Sequence, residues 1–101
     1  MEQQLDLFEL ADRESIFIGK EKQRLRSIQL TLESVVNLGE FAFGYAYAHR
    51  FSDLWGNVFV WISGTRPALT TGKSYLVDAT VKTHRTFARE RQTVITRTKI
   101  L

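Results

Sequence analysis

From Ser27 onward apolar and polar residues alternate, and a period of two admits strands and little else. Ile28, Leu30 and Leu32 alternate with Gln29, Thr31 and Glu33 as a half-buried strand, which Asn37-Leu38-Gly39-Glu40 is expected to end. The run from Phe41 to Ser52 sets Phe43, Tyr45, Tyr47, His49 and Phe51 on one face and Ala42, Gly44, Ala46 and Ala48 on the other. Asp53-Leu54-Trp55-Gly56-Asn57 carries turn chemistry, and Val58 to Ser63 returns as the second arm of a hairpin. Gly64 to Gly72, with the chain's single proline at Pro67, is a loop. Tyr75 to about Thr86 is a long strand, Arg89-Glu90-Arg91 its charged tip, and Thr93 to Ile100 the last strand.

Five strands with short connections in about 75 residues close most naturally as a small barrel. The expected fold is all-β, a five-stranded Greek-key barrel of the oligonucleotide-binding (OB) type, with an SH3-like barrel as the competing closure. The helix usual between the third and fourth OB strands has no support, because residues 65–71 are too few and contain Pro67. At 101 residues the chain makes one domain, divided into a leader over residues 1–19 and a barrel over 20–101. Cysteine is absent, which removes disulfides, thiolate metal sites and cysteine nucleophiles. No apolar run approaches the ~20 residues that span a bilayer, and the first residues are acidic rather than signal-like. The expectation is a cytoplasmic protein without a membrane partner.

Which face of the second strand points inward decides what the barrel can bind. A small barrel has little room for a row of large rings beside Val58, Val60 and Ile62, so the Ala/Gly face is expected inside. That register puts Phe43, Tyr45, Tyr47, Phe59 and Trp61 on the outer surface of the second and third strands, where OB barrels bind oligonucleotides by base stacking. The other register buries the rings and covers the Ala/Gly face.

Charge is divided along the chain. Residues 1–19 hold Glu2, Asp6, Glu9, Asp12 and Glu14 against Arg13, a net −4, and the rest carries +7. The region 82–99 holds Lys82, Arg85, Arg89, Arg91, Arg97 and Lys99 against Glu90, and Lys20, Lys22, Arg24 and Arg26 form a second cluster. Such charges contact phosphates with salt-dependent, sequence-tolerant affinity. Catalysis is not expected: His49 and His84 stand on different strands, the carboxylates are scattered, and no phosphate-cradling glycine loop is present. No catalytic residue, metal ligand or cofactor is assigned, and His49 reads as a core or stacking residue.

Two segments resemble known modules. Phe51 to Trp61, with its D-x-x-G-N-x-x-x-W pattern, followed by Ala79-Thr80-Val81-Lys82-Thr83-His84 and Gln92-Thr93-Val94-Ile95-Thr96-Arg97-Thr98-Lys99, resembles an OB-like module of phage and mobile-element proteins over residues 19–101. The chain departs from it at Arg89-Glu90-Arg91, where a glycine-bearing turn is common. Gln4-Leu5-Asp6-Leu7-Phe8 is similar to the bacterial sliding-clamp-binding pentapeptide at all five positions. That resemblance implies Leu7 and Phe8 in an apolar clamp pocket, Leu5 in a shallower one and Gln4 setting the register. Together the resemblances imply a single-stranded-DNA-binding accessory protein of phage or mobile-element replication, tethered to the clamp. Nothing in the sequence reads a 2′-hydroxyl, so RNA stays open as a partner, as does the oligomeric state. The alternative is a protein-interaction module or inhibitor that targets the clamp without binding nucleic acid.

Overall fold

The computed structural model describes residues 14–41 and 44–101. Five strands, β1 (Arg24–Phe41), β2 (Gly44–Ser52), β3 (Val58–Ser63), β4 (Ser74–Phe87) and β5 (Glu90–Ile100), close into a barrel in the order β1-β2-β3-β5-β4. Neighbouring strands are antiparallel except β3 and β5, which run parallel from Val58↔Gln92 to Trp61↔Ile95. The chain is therefore an all-β, five-stranded OB-like Greek-key barrel. No helix of the described residues is long and apolar enough to cross a membrane.

One long strand holds the ring together. The first part of β1, Arg24 to Thr31, pairs with β4, and its later part, Thr31 to Phe41, pairs with β2. The register shifts between Leu25 and Ile28 and between Leu32 and Ser34, and such bulges bend a strand enough to serve two walls. At the first, Ser27 adopts a φ of 50° and its amide donates to Asp78 Oδ1 at 2.7 Å. The expected break at Asn37-Leu38-Gly39-Glu40 is instead a third bulge, with Gly39 at φ 97° and its amide donating to Asn37 Oδ1. Turn residues there bend the strand without ending it.

The interior corrects the expected register. Phe51 and Phe59 face each other across β2 and β3 and are fully buried with Leu30, Leu32, Val77, Ala79, Val81 and Ile95. The ring face thus points in, and the Ala/Gly face of β2 points out. Across the barrel β4 sends Val77, Ala79 and Val81 into the same cluster, with Tyr75 packed half-buried against it. Phe59, expected on the surface, is 1% exposed, and Trp61 packs half-buried against the core. Ala42 and Phe43 lie outside the described residues.

Both ends of the barrel are plugged by irregular chain. Residues 64–73 form no helix, as expected, and send Leu69 against the core, with the Thr70 amide donating to the Tyr75 hydroxyl at 2.7 Å. At the opposite end Ser15 to Ile18 straps across β3 and β5. The Ile18 amide donates to Thr93 Oγ1 at 2.9 Å, the Ile16 amide to Asn57 Oδ1 at 3.0 Å, and the Val58 amide to Ser15 Oγ at 2.8 Å. These four residues, expected to belong to the leader, are part of the barrel's packing.

Candidate nucleic-acid interface

The β4–β5 hairpin overhangs the outer face of β2 and β3 and encloses a groove of about 330 Å³. Pairing aligns Val36, Ala48 and Ile62 in one row across three strands, and Arg50, Val60 and Val94 in the next. Val36, Ala48 and Val60 line the apolar floor, and Phe87, 63% exposed, forms the wall with Arg85 over its ring at 5.6 Å. The hairpin turns one residue earlier than expected. Phe87 pairs with Glu90, and Ala88 and Arg89 adopt φ of 50° and 66°, a left-handed pair that favours Asn and Gly. Side chains in that conformation cost roughly 1–2 kcal/mol each.

An ionic cluster holds the strained tip down. The Arg50 guanidinium donates through both Nη atoms to the Glu90 carboxylate, with Nη2 to Oε2 at 2.8 Å, and through Nε to Glu33 Oε1 at 3.0 Å. Gln92 Nε2 donates to Glu90 Oε1 at 3.1 Å and Arg85 Nε to Gln92 Oε1 at 2.8 Å. The hydrogen bonds from Arg50 hold the Glu90 carboxyl below its ordinary range, and Glu90 first, with Glu33, raises Arg50 above its own. Arg50 is thus committed to carboxylates, so cations for a phosphate must come from elsewhere on this surface.

They come from two segments distant in sequence. Lys22, Lys82 and Arg97 surround the Thr80 and Thr96 hydroxyls in a depression of about 510 Å³. The Lys22 amide donates to Val81 O at 2.7 Å, and Arg24 Nη1 donates to Arg97 O at 2.6 Å and Thr80 Oγ1 at 3.2 Å. Ion pairs among the described residues all involve Arg50, so these basic side chains meet no carboxylate there. Strand alternation puts Thr96, Val94 and Gln92 on one face of β5, which leads from this depression to the groove. Of the other expected basic residues, Arg85 lines the groove, exposed Arg89 stands at the tip and exposed Lys99 pairs opposite Asp78. Arg91, opposite Thr86, alternates onto the face of the hairpin away from Gln92 and does not line the groove.

The expected ring platform is largely absent from this surface. Tyr45 is 52% exposed near the β1–β2 turn, and Tyr47 is half-buried. Trp61 stacks on His49 with centroids 4.6 Å apart, on the inner side. His49 is buried as expected, with Nδ1 3.1 Å from Trp61 O and Nε2 without a partner; burial lowers its pKa and keeps it neutral. Phe87 was missed by sequence reasoning, although an aromatic residue between basic ones at a hairpin tip was a usable signal.

The residues that carry the module resemblance have structural roles. Asp53 Oδ1 accepts from the Trp55 and Asn57 amides at 2.9 Å each, Asp53 Oδ2 accepts from Asn57 Nδ2 at 3.0 Å, and Asn57 anchors the strap. The turn so fixed projects Leu54 and Trp55, both exposed, beside a second concavity of about 540 Å³. The pentapeptide Gln4 to Phe8 lies outside the described residues. No family model, curated protein or solved structure matches this chain.

Proposed function

We propose that the barrel binds single-stranded DNA along a path from Lys22, Lys82 and Arg97, over β5, into the groove beneath the β4–β5 hairpin. In this reading the protein is an accessory factor of phage or mobile-element replication, and Gln4-Leu5-Asp6-Leu7-Phe8 tethers it to the sliding clamp. The observation that carries the reading is the convergence of basic residues from residues 20–26 and 82–99 around two threonine hydroxyls, beside the barrel face that OB proteins use for oligonucleotides. Stacking falls to exposed Phe87, at roughly 1–3 kcal/mol per base, rather than to Phe59 or Trp61. Two weak contacts joined in one chain raise local concentration at the fork, so neither need be tight alone.

Fluorescence anisotropy of a labelled ~30-nucleotide single strand across a salt series tests this, with duplex and RNA of equal length alongside. Each phosphate contact contributes a log–log salt slope of about 0.7 for single strands, so Lys82→Ala with Arg97→Ala is expected to reduce the slope by about 1.4. A double variant that binds with unchanged slope contradicts the path. A preference for RNA keeps the surface and changes the substrate.

A second reading draws on the apolar row Val36, Ala48 and Ile62 and on the commitment of Arg50 to Glu33 and Glu90. Both suit a protein ligand in the groove, as in a module that targets the clamp without nucleic acid. Absence of oligonucleotide binding at low salt, with clamp capture retained, selects it.

A further inference from the structure

The strap has a direction. Followed backward from Ile18 at Thr93, the backbone passes Ile16 at Asn57 and Ser15 at the start of β3. Glu14 then lines a depression of about 380 Å³ that shares Arg50, Ala88 and Glu90 with the groove. Glu14, the first described residue, therefore stands at the mouth of the groove, with thirteen residues before it in the sequence. Fully extended, thirteen residues reach about 40 Å, whereas Val58 to Ile62 spans about 13 Å of the groove face.

The composition of that segment matches what it meets. Residues 1–13 carry Leu5, Leu7, Phe8 and Leu10 among Glu2, Asp6, Glu9 and Asp12, with Arg13 alone opposing them. The groove offers an apolar floor at Val36, Ala48 and Val60; Arg85 lines it and Arg89 lines the adjoining depression, neither ion-paired among the described residues, while Glu33 and Glu90 are taken up by Arg50. A tethered segment of this length faces its site at an effective concentration in the millimolar range, so weak complementarity is enough for substantial occupancy.

We propose that residues 1–13 are the groove's own ligand: the leucines and Phe8 lie over Val36 and Ala48, with the acidic side chains toward Arg85 and Arg89. The docking does not depend on any nucleic acid. Its consequence rests on the function proposed above: a leader in the groove excludes the single strand, and a clamp that captures Gln4 to Phe8 frees it. Clamp binding and strand binding then reinforce each other through one peptide.

The absence of cysteine makes the test clean, because Gln3→Cys in the full chain accepts a single nitroxide label. Docking predicts that the amide signals of Val36, Ala48 and Phe87 lose more than half their intensity relative to the reduced label. Val36→Glu, at a position 52% exposed, is expected to restore them while leaving distant amides in place. Leu7→Ser with Phe8→Ser in the leader is expected to do the same without touching the barrel. Broadening confined to Ser15–Gly19, or unchanged by both variants, overturns the proposal. In a separate arm without clamp, the Leu7→Ser/Phe8→Ser chain binds the ~30-nucleotide strand about threefold or more tightly, as expected when a mostly occupied site is vacated. Leader-dependent broadening with unchanged strand affinity supports docking and counts against the nucleic-acid reading alone.

Discussion

The inner and outer faces of β2 and β3 share two strands and differ in almost everything else. Inside, His49 stacks between Phe51 and Trp61, Phe59 is buried opposite Phe51, and His49 Nε2 has no hydrogen-bond partner among the described residues. Outside, Ala48 and Val60 make part of an apolar groove floor beside the Arg50 ion pairs. Large rings went to the face closed by Leu30, Leu32, Val77, Ala79, Val81 and Ile95, and small residues to the face that the β4–β5 hairpin overhangs. Side-chain size alone therefore does not identify a binding face; what matters is which elements close over it.

The sharpest way to break this contrast is to delete one side chain from each face. Phe59→Ala is expected to lower stability by about 3–5 kcal/mol in urea denaturation, and Val36→Ala to change it by no more than about 0.5 kcal/mol. Equal losses contradict the face assignment. The turn joining the two strands gives the next effect. Asp53→Ala removes three hydrogen bonds and is expected to reduce stability by about 1–3 kcal/mol, while Trp55→Ala leaves the melting temperature nearly unchanged.

On the outer side, the hairpin tip is strained and can be relieved. Ala88→Asn with Arg89→Gly is expected to raise stability by about 1 kcal/mol, because both residues then favour the left-handed backbone already present. The smallest expected effect is a pH dependence from the inner face. Burial lowers the His49 pKa from 6.5, so on acidification the unfolded chain takes up a proton near pH 6.5 that the folded chain refuses. Stability is then full above that pH and falls as pH drops from 7.5 toward 5.5. In His49→Phe, which keeps a ring against Trp61, that part of the slope is expected to vanish in denaturation at the two pH values.

Much of the fold was legible because it is locally encoded. Period two marks each strand, Asp53 to Asn57 marks its turn, and Pro67 with Gly72 marks the crossing loop. The inside–outside sense of β2 was not, because alternation is symmetric and its sense depends on Val77, Ala79 and Val81, distant in the chain. The continuation of β1 through Asn37–Gly39 was hidden because a bulge and a turn draw on the same residues. The tip at Ala88–Arg89 was hidden because neither residue carries turn chemistry. Both basic clusters were visible singly, but their convergence depends on the pairing of Arg24 with Thr80, a contact that no local pattern encodes.

The central claim is that the outer surface from Lys22, Lys82 and Arg97 to the groove holds a single strand. An amide chemical-shift titration of the full chain with an unlabelled oligonucleotide at low and high salt tests it most directly. The account predicts shifts at Lys22, Thr80, Lys82, Thr96, Arg97 and Phe87 that collapse as salt rises, with Leu54 and Trp55 unmoved. Shifts confined to the Leu54–Trp55 turn, or none at low salt, would contradict it.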